Sequence, residues 1–418
     1  MRIGYIMEAG VPDVRAAGAS GPAAHVRCTI SELRRLGHDV RLVAQYGREI
    51  WQSDDLEHFR RVQVPGRDDG PMRAVERVTR RLQWTFGLPY FAYFDTRRFA
   101  AACAMALGPC DLLYERMGWM GLGGGLAARR LGIPHVLEVN GDHLAELTML
   151  GEAPGGIQRR VSMWLMRGAA QRATHAVATG EGWRAQHVLR WRVNPARVSV
   201  VDNGSELVDL LERDQLRCFS VNDHARSPLR LAYVGSLDPW QNVALLLAAA
   251  AKVMATGVDL HITLAGTGPQ EDAFKQMAAS LQLGGRAVFT GYLAPARLAE
   301  HLSACDVGVC LYSGRREYRG LKLLDYKAAG LATIATGAHG EPRLIEDGRT
   351  GVIIPPDDEA ELCSAIARMA ATRAETSAMG RRARLEAEAR HRWHHTAQQL
   401  SHLFERIVAG RPRQAGPA

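Results

Sequence analysis

The feature that most restricts the fold of this chain is a strict alternation of strand-like and helix-like segments, run through twice. In the first half, "RIGYIM", "HDVRLVAQY", "CDLLYER", "PHVLEVN", "ATHAVATG" and "RVSVVDNG" are short apolar runs closed by polar or glycine residues. The stretches between them, such as "RCTISELRRLG" and "GLGGGLAARRLG", carry helical spacing. The alternation resumes with "LRLAYVGSL", "VDLHITLAG", "RAVFTGYL", "DVGVCLY", "LATIATG" and "TGVIIPP". Continuous apolar strands separated by helices predict parallel sheets covered on both faces. The polar stretch "RDQLRCFSVNDHARSP" interrupts the pattern and reads as a linker. The expectation is two doubly wound, Rossmann-like α/β domains, residues 1–205 and 206–391. Their strand C-termini are expected to face each other across a cleft, where such sheets bind ligands.

Composition narrows the function classes. In 418 residues no apolar run approaches the ~18 needed to span a bilayer. The N-terminus reads as a strand and lacks the long apolar region of a signal peptide, so the expected location is cytoplasmic. The seven cysteines have no C-x-x-C spacing and read as reduced thiols. No cluster has metal-ligand spacing, so no metal and no cofactor is expected. The formal net charge is +8, carried almost wholly by arginine, with lysine only at 252, 275, 322 and 327. That bias is discounted as a sign of nucleic-acid binding, though a basic surface suits sugar nucleotides or phospholipid. "RAVERVTRRLQWTFGLPYFAYF" sets arginines beside aromatics. It reads either as a solvated helix or as a basic amphipathic helix in peripheral contact with the inner membrane face.

The stretch "EYRGLKLLDY" carries the sharpest chemical signal. Glu317 and Asp325 are separated by seven residues, with Gly320, Leu321 and Lys322 between them. A loop acid and a helix acid at that spacing can each accept hydrogen bonds from a pair of hydroxyls, one set on a sugar and one on a ribose. The backbone amides between them open a helix, where a diphosphate would be held. Two further strand–glycine–helix turns, at Gly235 and at Gly266, have the same local form. Any α/β protein contains such turns.

The segment "GLATIATGAHGEPRLIEDGRTGVIIPPDD", with the acidic pair before it, resembles the signature of retaining family-4 glycosyltransferases of the GT-B fold. "GASGPAAHV" is similar to the family's first glycine-rich loop, "VDNGSE" to its turn before the domain crossover, and "VGSLDPWQNV" and "LAGTGPQ…RAVFTGYL" to its donor-site segments. The resemblance implies a nucleoside-diphosphate sugar, most often UDP-linked, bound by the C-terminal domain. It implies that Glu317 holds donor-sugar hydroxyls and Asp325 the ribose. Gly320, Leu321 and Lys322 would hold the diphosphate, and Gly18 and Gly21 would let the first loop approach it. Tyr292, closing "FTGYL", joins the donor side. It further implies that a C-terminal helix in 392–418 returns to the first domain, which binds the hydroxyl acceptor.

The family's usual Arg and Lys after the first strand of the second domain are Ser236 and Gln241 here, which removes two cations. A donor-contacting histidine common after "P-x-V-x-T" is Asn140, with His143 just beyond; Glu115 and Arg116 are placed on the neighbouring loop. The implied activity is transfer of a sugar to an acceptor hydroxyl with retention, and no metal. A sugar-nucleotide epimerase and a non-catalytic nucleotide-sugar-binding subunit remain as alternatives.

Overall fold

The computed structural model describes every residue except 9, 11, 16–20, 66–69, 87, 150, 221–226, 314–319, 338–341 and 411–418. Two compact units emerge: Met1–Asp202 with Thr396–Ala418, and Asn203–His395. The expected positions Glu317 and Gly18 lie outside the described residues.

The first unit runs β1 (Arg2–Met7), α1 (Gly21–Arg35), β2 (Asp39–Tyr46), β3 (Glu49–Ser53), β4 (Arg60–Arg61), α2 (Gly70–Thr85), α3 (Tyr93–Leu107) and β5 (Leu112–Arg116). It continues through α4 (Gly123–Leu131), β6 (His135–Val139), α5 (His143–Met149), α6 (Gly156–Arg172), β7 (His175–Ala178), α7 (Glu181–Trp191) and β8 (Val198–Val200). Its sheet order is β4-β3-β2-β1-β5-β6-β7-β8. The β2–β3 and β3–β4 pairs are antiparallel, an edge hairpin on an otherwise parallel sheet.

The second unit contains α8 (Leu207–Leu210), β9 (Leu229–Val234), α9 (Val243–Ala255), β10 (Leu260–Ala265), α10 (Glu271–Ser280), β11 (Ala287–Gly291) and α11 (Pro295–Ser303). After these come β12 (Val307–Cys310), α12 (Leu321–Ala328), β13 (Ala332–Thr336), β14 (Gly351–Ile354), α13 (Glu359–Ala371) and α14 (Arg373–Arg390). All its strands are parallel, in the order β11-β10-β9-β12-β13-β14. The connections reverse direction on either side of β9, so the crevice between the loops after β9 and β12 is this sheet's switch point. Helix α9 shows why the segment folds so. Val243, Leu246, Leu247, Ala250 and Val253 recur at helical spacing and are all buried against the sheet.

α15 (Trp393–Ala409) passes into the first unit, where Ala397, Leu400, Leu403 and Phe404 pack in the core formed by β1 and α1. The Phe404 ring lies 5.0 Å from that of Tyr114, edge to face. The expected linker needs correction. Leu207, Val208, Leu211, Leu216 and Cys218 sit in the core of the second unit among α8 and two short 3₁₀ turns. The polar residues of "RDQLRCFS" masked the spaced apolar ones that seal against α12. Among the described residues no helix is long and apolar enough to cross a membrane, and all seven cysteines are free thiols.

Candidate functional site

At the switch point of the second unit, three loops or helix ends converge because of backbone features the sequence supplies. Gly235 follows β9 with φ +142° and Gly266 follows β10 with φ +142°, a region costly for residues with a side chain. The two loops are zipped together. The Gly235 amide donates to the Ala265 carbonyl at 3.0 Å, Leu237 N to Thr267 O at 3.0 Å, and Gln270 N to Leu237 O at 3.1 Å. A side chain at Gly266 would place its Cβ 1.9 Å from the Gly235 carbonyl oxygen, and one at Gly268 2.6 Å from the Leu237 nitrogen. The Gly266 amide is itself given to Gly291 O at 2.8 Å. These glycines therefore first serve loop-on-loop packing, and the amides of Gly235 and Gly266 are committed to neighbouring carbonyls.

α12 is anchored beside them by Tyr326, which is fully buried. Its hydroxyl accepts from Val234 N and donates to Val309 O, both at 2.9 Å. The ring lies so close to β12 that a Cβ on Gly308 would come within 2.3 Å of it. This fixes the helix N-terminus, opened by Gly320 at φ +74°, and with it Leu321, Lys322 and Asp325.

Lys322 reaches back under the first loop. Its Nζ donates to Gln241 Oε1 at 2.6 Å and stands 4.7 Å and 5.1 Å from the ring centres of Tyr233 and Tyr312. Burial pushes the ammonium's pKa below its ordinary value. Among the described residues no carboxylate lies within ion-pair distance of it. Gln241, where the family pattern places a cation, is buried and acts as the acceptor that aims Lys322. Ser236 is exposed and donates from Oγ to Asp238 at 2.5 Å. The other lysine of the helix, Lys327, is fully buried and pairs with Glu386 at 2.8 Å.

Asp325 lies on the same helix, three residues on. Its Oδ1 accepts from the Ser205 hydroxyl at 2.6 Å. Burial pushes its carboxyl up to about 7, against the bond from Ser205, with the Glu206 charge adding to the rise. Ser205 belongs to the "VDNGSE" turn, held by Ser205 N donating to His391 O at 2.8 Å. The sequence located that turn but gave no sign of its bond to Asp325. Tyr292 follows β11 and is half exposed. Gly235, Gln241 and Lys322 are thus brought together, with Asp325 one helical turn away.

In the first unit the expected residues separate. Glu115 and Arg116 are strand residues of β5, not loop residues, and successive strand positions face opposite ways. Glu115 is buried, accepts from His135 Nε2 at 2.6 Å, and is pressed by α4, where a Cβ on Gly124 would lie 2.1 Å from Oε2. One of its carboxylate oxygens is thus taken by His135 in the interior. Arg116 faces the other side and reaches Glu138 at 3.5 Å, and Asn140 Nδ2 donates to Glu138 Oε1 at 2.7 Å. Glu138, fully buried, also accepts from Tyr5 OH at 2.8 Å and pairs with His25 of α1, the helix that Gly21 opens. Burial alone would raise its carboxyl; His25, Arg116 and Tyr5 outweigh it and hold it at about 2. Sequence reading missed this cluster. The available signal was an acid inside the apolar run "PHVLEVN", which can be buried only if paired. His143 opens α5 and donates from Nε2 to Met117 O at 2.7 Å.

Comparison with known proteins accounts for both units. The family model described as "Glycosyl transferase 4-like domain" matches residues 20–204, and "Glycosyl transferases group 1" matches residues 228–372. The chain is 27% identical over 349 residues to alpha-maltose-1-phosphate synthase of Mycolicibacterium smegmatis, covering 77% of this chain and 88% of that protein. It is 26% identical over 319 residues to D-inositol 3-phosphate glycosyltransferase of Stackebrandtia nassauensis, covering 72% and 69%. Among solved structures, Anabaena HepE in complex with UDP superposes with a TM-score of 0.68 at 16% identity, over 97% of this chain and 100% of that one. Sucrose-phosphate synthase from Thermosynechococcus elongatus gives 0.69 at 19% identity, over 98% and 100%. With two parallel α/β units and both halves matched, the chain belongs to the group 1, family-4 glycosyltransferases of the GT-B fold.

Proposed function

We propose that this glycosyltransferase moves a sugar from a UDP-sugar to an acceptor hydroxyl with retention of the anomeric configuration. The observation that carries the reading is Lys322. It is a half-buried cation at a helix N-terminus on the switch point of the sheet, aimed by Gln241 and without an ionic partner among the described residues. Keeping such a charge desolvated is unfavourable until an anion arrives. The helix N-terminus adds its own attraction for phosphate. In this reading Lys322 meets the diphosphate, Asp325 the ribose hydroxyls and Glu317 the donor-sugar hydroxyls.

The bond from the anomeric carbon to the diphosphate oxygen breaks while the bond to the acceptor oxygen forms on the same face. The acceptor proton passes to the departing β-phosphate, so no protein nucleophile is needed. The protein's part is positioning and stabilisation of the leaving diphosphate. The choice of UDP draws support from HepE, whose structures hold UDP and UDP-glucose.

The test is release of UDP from a panel of UDP-sugars with and without hydroxyl acceptors, with the product anomer read by NMR. Acceptor-dependent release, an anomer matching the donor, and a drop of at least about a hundredfold in Glu317→Ala are expected. Turnover without acceptor would favour an epimerase, and nucleotide binding without turnover a non-catalytic subunit. An inverted product would overturn the retaining mechanism.

A further inference from the structure

α2 sorts its side chains against the rule for a solvated helix. Its only acid, Glu76, is turned inward, where it pairs with Arg80 at 2.8 Å and with Arg98; Arg80 also holds Asp95 at 2.8 Å. Its apolar residues point outward. Met72, Val75, Val78 and Leu82 are between 45% and 59% exposed and, three or four residues apart, form one stripe. Trp84, in the last turn of the same helix, is 87% exposed, and Phe86, just beyond its end, is 69% exposed. Arg73, Arg77 and Arg81, four residues apart, form an exposed basic row along the same helix. A second element joins it. Gln158, near the start of α6, accepts from Tyr90 N at 2.6 Å and donates to Tyr90 O at 3.2 Å. This sets exposed Ile157, Arg159 and Arg160 beside the aromatic segment.

Burying the acid while exposing aromatics next to arginines leaves a face that is apolar and positive at once. Apolar patches of this kind on a folded chain mark interaction sites. We propose that the α2 face, from Met72 to Phe91 with the start of α6, docks the protein onto an anionic lipid bilayer. Trp84 and Phe86 would enter the headgroup boundary and the arginine rows would meet lipid phosphate. Charge selects this occupant over a second copy of the chain, since pairing the face with itself would set arginine row against arginine row. The inference is independent of the donor-site reading.

The test uses the full chain and sedimentation with vesicles, of phosphatidylcholine alone or mixed with phosphatidylglycerol. Binding to the anionic vesicles at least about tenfold stronger than to neutral ones is expected, weakening as salt is raised. W84S/F86S should lower anionic-vesicle partitioning by about tenfold or more, through lost apolar insertion. R73E/R77E/R81E should remove the preference for anionic lipid. The replaced side chains are exposed, so unchanged melting temperatures are expected; if the double variant is destabilised, Trp84→Ser alone carries the test. No binding by the wild type, or equal binding by the folded Trp84 variant, overturns the proposal. So does a dimer dissolved by W84S/F86S in a chain that ignores vesicles, which would make the face a self-association surface.

Discussion

Replacing Lys322 by methionine keeps an unbranched stem against Tyr233 and Tyr312 and removes only the charge and the donor to Gln241. In the unliganded protein two effects oppose each other. Gln241 Oε1 loses its partner in a buried site, which costs about 1–3 kcal/mol, while a desolvated ammonium disappears, which is favourable. Folding stability should therefore change little. Ligand binding has no such compensation. A charge-assisted bond from Lys322 to a phosphate oxygen is worth about 1.5–3 kcal/mol, equivalent to about a 10- to 150-fold change in Kd. Calorimetric titration of the wild type and Lys322→Met with UDP and with uridine isolates this contribution. The Kd for UDP should rise by that factor, and the Kd for uridine should stay the same. Equal losses for both ligands would mean that Lys322 holds the shape of the loops after β9 and β10 rather than the diphosphate. No loss for either would place the neutralising charge on other residues, Arg315, Arg316 and Arg319 being the first to test.

The raised carboxyl of Asp325 has a pH signature. Its folded pKa of about 7 lies above the ordinary value of 3.8, so the native state holds the proton more tightly than the unfolded chain. Its contribution is fully present below the ordinary value and is lost as pH rises through about 7. Asp325→Asn, which preserves the shape, should melt higher than the wild type at pH 8 and level with it near pH 4; parallel melting curves across that range would refute the assignment. Gly266→Ala forces a Cβ to within 1.9 Å of the Gly235 carbonyl at φ +142°. It should destabilise by about 2 kcal/mol or more in urea unfolding, and an unchanged midpoint would contradict the loop-packing role. Glu138→Ala leaves His25 buried without its carboxylate and should cost about 3–5 kcal/mol; a urea-measured loss below about 1 kcal/mol would show that the cluster is not stabilising as an ion pair.

Two α/β units built on parallel strands, and the glycosyltransferase family, were legible in the sequence. Periodicity is local, so apolar runs and helical stripes identified nearly every strand, and the order of elements implied parallel sheets before any coordinates. The glycines after β9 and β10 and the helix that carries Asp325 were legible for the same reason: each reflects a backbone demand made within a few residues. What the tertiary structure alone decided is which side chains meet. Gln241 looked like a lost cation and is the buried acceptor that aims Lys322, 81 residues away in the chain. Asp325 draws its hydrogen bond from Ser205, 120 residues earlier, and Glu138 binds His25 across 113. Glu115 and Arg116 read as one functional pair until strand β5 sent them to opposite faces of the sheet. A residue's own neighbours in sequence fix its conformation and the face it occupies. The desolvation that raises Asp325, and the ion pairing that lowers Glu138, come from groups that only packing brings within a few ångströms.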